Sequence, residues 1–168
     1  MKRSVGFFAA GALLCAATSW ADDYTESVAL FKNAGASKSF FDKSYGYAVF
    51  PGIGKGGFIV GGAHGNGRVY RHGACTGGVS MTQLSVGLLA GGEAFREIVF
   101  FEDQRAFDDF TKGSFEFGAD ASGGQKDATT TGRYYKGAAV FIIVKGGAMA
   151  EASVGGQKFS YKAGDCSS

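Results

Sequence analysis

Two kinds of hydrophobic pattern divide this chain. Over residues 22–45 the apolar positions follow a helical period. At about 100° per residue, Leu30, Ala34, Phe41 and Tyr45 share one face, with Lys32 and Lys43 opposite. Gly35 lowers helix stability inside this segment, so the pattern fits one long helix or two shorter ones equally. From Gly46 the pattern changes to short β-branched and aromatic blocks punctuated by glycine. These predict strands over 47–50, 57–62, 68–71, 79–89, 93–101, 115–120, 133–144 and 148–161. The last two read as a hairpin turning near Gly146 and Gly147. Residues 102–112 return to a helical pattern, with Phe107 and Phe110 an i, i+3 pair toward the core. Residues 121–131 are polar and glycine-rich and read as a loop. Pro51, the only proline, lacks an N–H and suits the edge or start of a strand. The expected fold is α+β and β-rich. It has a strongly twisted antiparallel sheet or partial barrel, an N-terminal helical segment and one short additional helix, with the helices covering the sheet edges.

The stretch GYAVFPGIGKGGFIVGGAHGNGRVY, from Gly46 to Tyr70, has nine glycines in its first 22 residues. A flexible linker would lack its Phe, Ile, Val and Tyr. The mixture reads as strands with glycine at tight turns and close backbone approaches. Gly52, Gly54 and Gly57 match G-x-G-x-x-G, but a dinucleotide site needs a helix next, and strand-like FIVGG follows. Lys55 is not a phosphate-loop lysine, because Gly56 stands where Ser or Thr belongs. It is still a cation alone among glycines in a turn, where backbone N–H groups can join it in holding an anion. Arg68, Arg71 and His72 would form a second basic patch beside it on the same hairpin. The plainer alternative is a solvated loop lysine.

Charge and the N-terminus narrow the partner class. Lys2 and Arg3 precede an apolar run, 5–18, too short to span a bilayer comfortably, and Ser19-Trp20-Ala21 puts small residues at −3 and −1. A signal peptide over 1–21, cleaved before Asp22, is expected, leaving a single domain over 22–168, exported to the periplasm or envelope. A lipoprotein anchor at Cys15 is the lesser alternative, since Leu14 precedes it where a small residue is wanted. Without Lys2 and Arg3, the 17 basic residues fall to 15, matching the 15 acidic ones. A net charge near zero argues against nucleic acid as a partner and leaves room for a local basic patch. Export makes a disulfide between Cys75 and Cys166 the favoured reading over two free thiols.

Little in the chain points to catalysis. His64, His72 and Cys75 match no closed metal site by spacing, so neither a metal nor another cofactor is expected. Glu93, Arg96 and Glu97 share the strand 93–101, where Arg96 and Glu97 must point to opposite faces. A carboxylate pair there has no oriented nucleophile to serve, and G-x-S-x-G is absent. The expectation is a protein that is not an enzyme.

The Gly46–Tyr70 stretch also resembles the signature of the SYLF lipid-binding domain. A second stretch, GGEAFREIVFFEDQRAFDDFTKGSFEFGADAS from Gly91 to Ser122, is similar to the later part of that domain. With the helical lead-in near Tyr24, the resemblance covers most of 22–168. It implies non-catalytic phospholipid binding, with phosphoinositides the lipid class of eukaryotic members. Here a signal peptide stands where those members carry basic sequence, so an anionic envelope phospholipid is the implied ligand instead. Glu93 stands where the family commonly has Gln, so no role is carried over to it. On this reading Lys55, Arg68 and Arg71 meet lipid phosphate. Lys32, Lys38 and Lys43, with Phe40 or Phe41, supply interfacial anchoring. The bland reading of the lead-in is a helix that packs Leu30, Phe31 and Phe41 on the sheet. Two alternatives remain for function: an envelope protein-interaction or scaffold module, and a carrier that encloses a lipid tail in an apolar pocket.

Overall fold

The computed structural model describes residues 22–54, 63–83, 95–116, 134, 136–144, 149–150 and 157–167. In chain order these form α1 (Asp22–Asn33), α2 (Phe40–Lys43), β1 (Gly46–Ile53), β2 (Ala63–Arg71), β3 (Ala74–Gln83), β4 (Phe95–Phe101), α3 (Gln104–Phe110), β5 (Ser114–Glu116), β6 (Ala138–Val144), β7 (Met149–Ala150) and β8 (Gln157–Ala163). The strands make one curled antiparallel sheet in the order β5-β8-β3-β2-β1-β4-β6-β7. The strand-rich α+β expectation therefore holds.

Both faces of the sheet are buried over its centre. On β4, Phe95, Val99 and Phe101 enter the concave cluster, while Ile98 and Phe100 enter the convex one. On β6, Val140 and Ile142 go inward and Phe141 and Ile143 outward. This two-sided burial explains why FREIVFF and AAVFIIV read as nearly continuous apolar runs. Curling brings distant strands together across the concave side. Phe50 of β1 lies 5.7 Å, centroid to centroid, from Phe159 of β8, which also meets Phe110 of α3 at 5.1 Å. Gly65 and Gly67 face this interior, and a Cβ at Gly67 would sit 2.6 Å from the Phe50 ring. Glycine in β2 thus makes the room that the neighbouring large side chains fill.

The helices cover faces rather than edges, which corrects the expectation. Those edges are β5 and β7. α3 begins at Asp103, whose carboxylate accepts from the Ala106 N–H at 2.9 Å, and it packs Phe107 and Phe110 into the concave cluster as the pattern predicts. The lead-in breaks into two helices. The buried stripe of α1 is Tyr24, Ser27 and Phe31, and Leu30 is only partly buried. The expected face failed because residues 41 and 45 do not continue α1. The chain reverses after Asn33, held by the Ser37 hydroxyl donating to the Phe31 carbonyl at 2.6 Å.

Several strand boundaries move. β2 and β3 begin earlier than expected, joined by a two-residue turn at His72 and Gly73, both at positive φ (50° and 79°). Pro51 lies within a central strand, not at an edge. It is tolerated because the β1–β4 register shifts between Phe50 and Ile53. The segment expected as one strand over 148–161 divides: β7 pairs antiparallel with β6, the turn expected at Gly146 and Gly147 lying outside the described residues, whereas β8 joins β3 and β5. The expected strand 57–62 and the loop 121–131 lie outside the described residues.

One polar pair sits in the apolar interior. Glu97, inward-facing on β4, is fully buried and accepts from the Gln157 side-chain amide of β8 at 3.0 Å; its Oε1 has no hydrogen-bond partner among the described residues. Burial pushes the Glu97 carboxyl up to about 8 from its usual 4.5, against the opposing effect of the Gln157 hydrogen bond. The folded protein thus holds a proton that the unfolded chain releases, and stability falls as pH rises across that window. Melting temperature should drop between pH 5 and pH 9 in the native protein and much less in Glu97→Gln. Parallel pH profiles for the two would remove Glu97 as the titrating group.

Cys75 and Cys166 form a disulfide, with Cα atoms 6.3 Å apart, that ties the C-terminal tail to the start of β3. It closes a loop of sequence separation 91, which in the chain-entropy account stabilises the fold by about 4.6 kcal/mol. Reductant should lower the denaturation midpoint of the native protein and leave a Cys75→Ser/Cys166→Ser variant, already less stable, unchanged.

Candidate functional site

The convex face gathers Lys32, Phe41, Lys43 and Arg68 of the residues that the sequence nominated, together with some that it did not. α1 lies over β1, and its flank leaves a groove of about 290 Å³ lined by Tyr24, Thr25, Val28, Lys32, Tyr47 and Tyr70. Tyr47 and Tyr70 are cross-strand partners on β1 and β2, so their rings meet on the outer face and stack at 5.2 Å. Burial, with Tyr70 adding to it, pushes the Tyr47 hydroxyl up to about 12. Burial also raises Tyr24, partly offset by the nearby Arg68 guanidinium. Tyr24 and Tyr47 are therefore neutral phenols at physiological pH.

Three nominated cations stand over aromatic rings along this face. Lys32 Nζ lies 5.4 Å from the Phe41 ring centroid, Lys43 Nζ 4.0 Å from that of Phe40, and the Arg68 guanidinium 4.1 Å from that of Tyr24. Lys43 also reaches Tyr134 at 5.9 Å. Phe41 is half-buried, edge-on to Phe100 at 4.9 Å and Tyr47 at 5.3 Å. Lys32, Phe41, Tyr47 and Tyr70 thus form one run of cation and ring, and Tyr24 with Arg68 borders the same groove.

Other nominations fall elsewhere. Phe40 is 2% exposed and packed among Phe100, Phe141 and Tyr134 at 5.0–5.5 Å. It is a core residue, and an anchoring role for it is corrected by that burial; only Phe41 of the pair borders solvent. Lys38 is exposed on the turn between α1 and α2. Arg71 is exposed at the hairpin end of β2, outside the convex run. Lys55 lies outside the described residues. Its neighbour Gly54 bridges to His64, seven residues along β2 from Arg71, or about 24 Å at strand rise. His64 pairs with Thr82 at 3.3 Å, His72 occupies the far turn and Cys75 is in the disulfide, so these three do not converge. Glu93 lies outside the described residues.

Sequence reasoning missed the tyrosines and the ion pair between Arg96 of β4 and Glu26 of α1, 3.1 Å apart. Period-two alternation does place Tyr47 and Arg96 outward, but their neighbours across strands and on α1 depend on register.

No protein-family profile matches the chain. A relative, "Beta cell expansion factor A" of Aeromonas veronii, is 30% identical over 144 residues, covering 80% of this chain and 52% of its own length. The chain thus spans about half the length of that curated relative.

The two phenylalanines should separate experimentally. Phe40→Ala is expected to cost about 3–5 kcal/mol of stability in urea denaturation, as a core cavity does. Phe41→Ala should cost markedly less. Equal losses would contradict the placement of Phe41 at the border of the core.

Proposed function

We propose that this protein is a non-catalytic phospholipid-binding protein of the cell envelope, akin to the SYLF domains it resembles, and that it meets anionic headgroups with its convex face. The observation that carries this reading is the run of Lys32, Lys43 and Arg68 over aromatic rings beside the tyrosine groove. An interface rewards that combination. Rings and alkyl stems sit at the headgroup level while the cations face phosphate, each basic residue contributing about 1 kcal/mol near an anionic surface. Lys38 lies near the same end of the lead-in and adds charge. Arg71 and Lys55 would act as separate anion contacts.

The disulfide suits an oxidising compartment. Removal of residues 1–21 as a signal peptide, and a periplasmic or envelope location, are the finer form of that proposal. Among the described residues no helix is long and apolar enough to cross a membrane. Phe50, Phe110 and Phe159 fill the concave side, which favours surface binding over a carrier that encloses a lipid tail. A second reading is that the stacked Tyr47 and Tyr70 rings of the same face meet a protein partner instead.

Flotation with vesicles tests the proposal. Binding should be weak to phosphatidylcholine alone, rise with added phosphatidylglycerol, fall with salt, and weaken several-fold in Lys32→Glu. Folded protein that floats with no composition would end the lipid reading and leave the protein-partner reading.

A further inference from the structure

Among the described residues, Arg96 is the one arginine of the convex face that the run of rings does not use. It projects from β4 opposite Ile143 of β6, on the other flank of α1 from the tyrosine groove. Its Nη2 donates to Glu26 Oε1 at 3.1 Å, a single contact. Its Nε–H is buried and has no acceptor among the described residues. A buried donor without a partner is a standing loss in the resting protein. The ion pair that accompanies it is weak, because the two side chains are 30% and 58% exposed and screened by solvent.

We propose that Arg96 is a phosphate-binding residue that Glu26 holds closed. The Nε–H and Nη2–H of a guanidinium lie parallel along one edge, spaced to take two oxygens of one phosphate. Glu26, fixed on α1, uses only one of them. A phosphate group that displaces this carboxylate exchanges one screened contact for two charge-assisted hydrogen bonds and satisfies the orphaned donor. The ligand chemistry is a phosphate monoester or diester, borne by a lipid headgroup or free in solution. The site does not depend on the lipid reading above. Removing the Glu26 charge should strengthen anion binding, whereas a merely structural ion pair predicts no gain.

The test follows the Arg Nε–H resonances by NMR in the native protein, Glu26→Gln and Arg96→Lys, titrated with sodium phosphate against sodium chloride at equal ionic strength. The Arg96 signal is identified by its loss in Arg96→Lys, a variant that keeps the charge, and whose amide spectrum reports the fold. Phosphate should shift this signal saturably, about tenfold more tightly in Glu26→Gln than in the native protein, and Arg96→Lys should lose the high-affinity response. Phosphate binding that is no tighter in Glu26→Gln, or that survives in Arg96→Lys, overturns the proposal. So does a Glu26→Gln protein that responds to neither phosphate nor vesicles. A parallel flotation with phosphatidylglycerol vesicles separates the sources. Stronger flotation of Glu26→Gln that Arg96→Lys abolishes assigns the phosphate to lipid. A phosphate response without flotation of any variant keeps the site, assigns it to a soluble phosphate, and removes the lipid reading.

Discussion

The covalent length of one connection dictates the shape of the molecule. Ala150 ends β7 at one margin of the sheet and Gln157 begins β8 near the other, with β3, β2, β1, β4 and β6 between them. Seven peptide steps reach about 24 Å at full extension. Six strand spacings in a flat sheet cover about 29 Å. A flat sheet with this order cannot be joined, so the sheet must curl until its two margins approach. The contacts across the hollow follow from that. Glu97 and Gln157 sit on strands four positions apart yet hydrogen-bond, and Phe50 meets Phe159 over three.

Curling sorts the side chains into two cores of different character. The concave side has to be filled from within, which the large rings of Phe50, Phe101, Phe110 and Phe159 do. The space they need comes from glycines on the adjoining strands. The convex side diverges and needs a separate cover, which α1 and α2 supply with Tyr24, Phe31 and Phe40. A helix laid on a convex surface touches it along a line and leaves flanks. The tyrosine groove lies on one flank and Arg96 on the other. Both candidate sites are therefore consequences of placing a straight helix on a curved sheet.

This geometry also decides what was legible in the sequence. Strand identity was readable because β-branched and aromatic blocks between glycines have few other uses, and the short helix at 104–110 announced itself through the Phe107–Phe110 pair. Face assignment was not readable where both faces are buried. In FREIVFF and AAVFIIV the period-two signal is erased by burial on each side. The same limit hid the difference between Phe40 and Phe41, which are adjacent and equally apolar; the turn at Ser37 alone decides which one points inward. The disulfide was legible because export restricts the options for two cysteines. The groove was not, because Tyr24, Tyr47 and Tyr70 are brought together by a helix–sheet contact and a strand register that no local spacing encodes.

The convex run is organised before any ligand arrives, and that bears on how it would bind. Lysine side chains ordinarily lose rotamer freedom when they are fixed against a partner, a cost that offsets much of what each charge contributes. Lys32 and Lys43 already lie along the rings of Phe41 and Phe40, and Arg68 along Tyr24, so part of that ordering has been met during folding. The rings in turn are fixed by the sheet, Phe41 against Phe100 and Tyr47 against Tyr70. Arg96 is arranged oppositely: its guanidinium is spoken for by Glu26 through one contact, and its second donor waits. A surface with three prepaired cations and one occluded cation would respond in two steps to an anionic partner. The exposed charges set the encounter and its salt dependence, and the displacement of Glu26 adds affinity only for a ligand whose oxygens can bridge both donors.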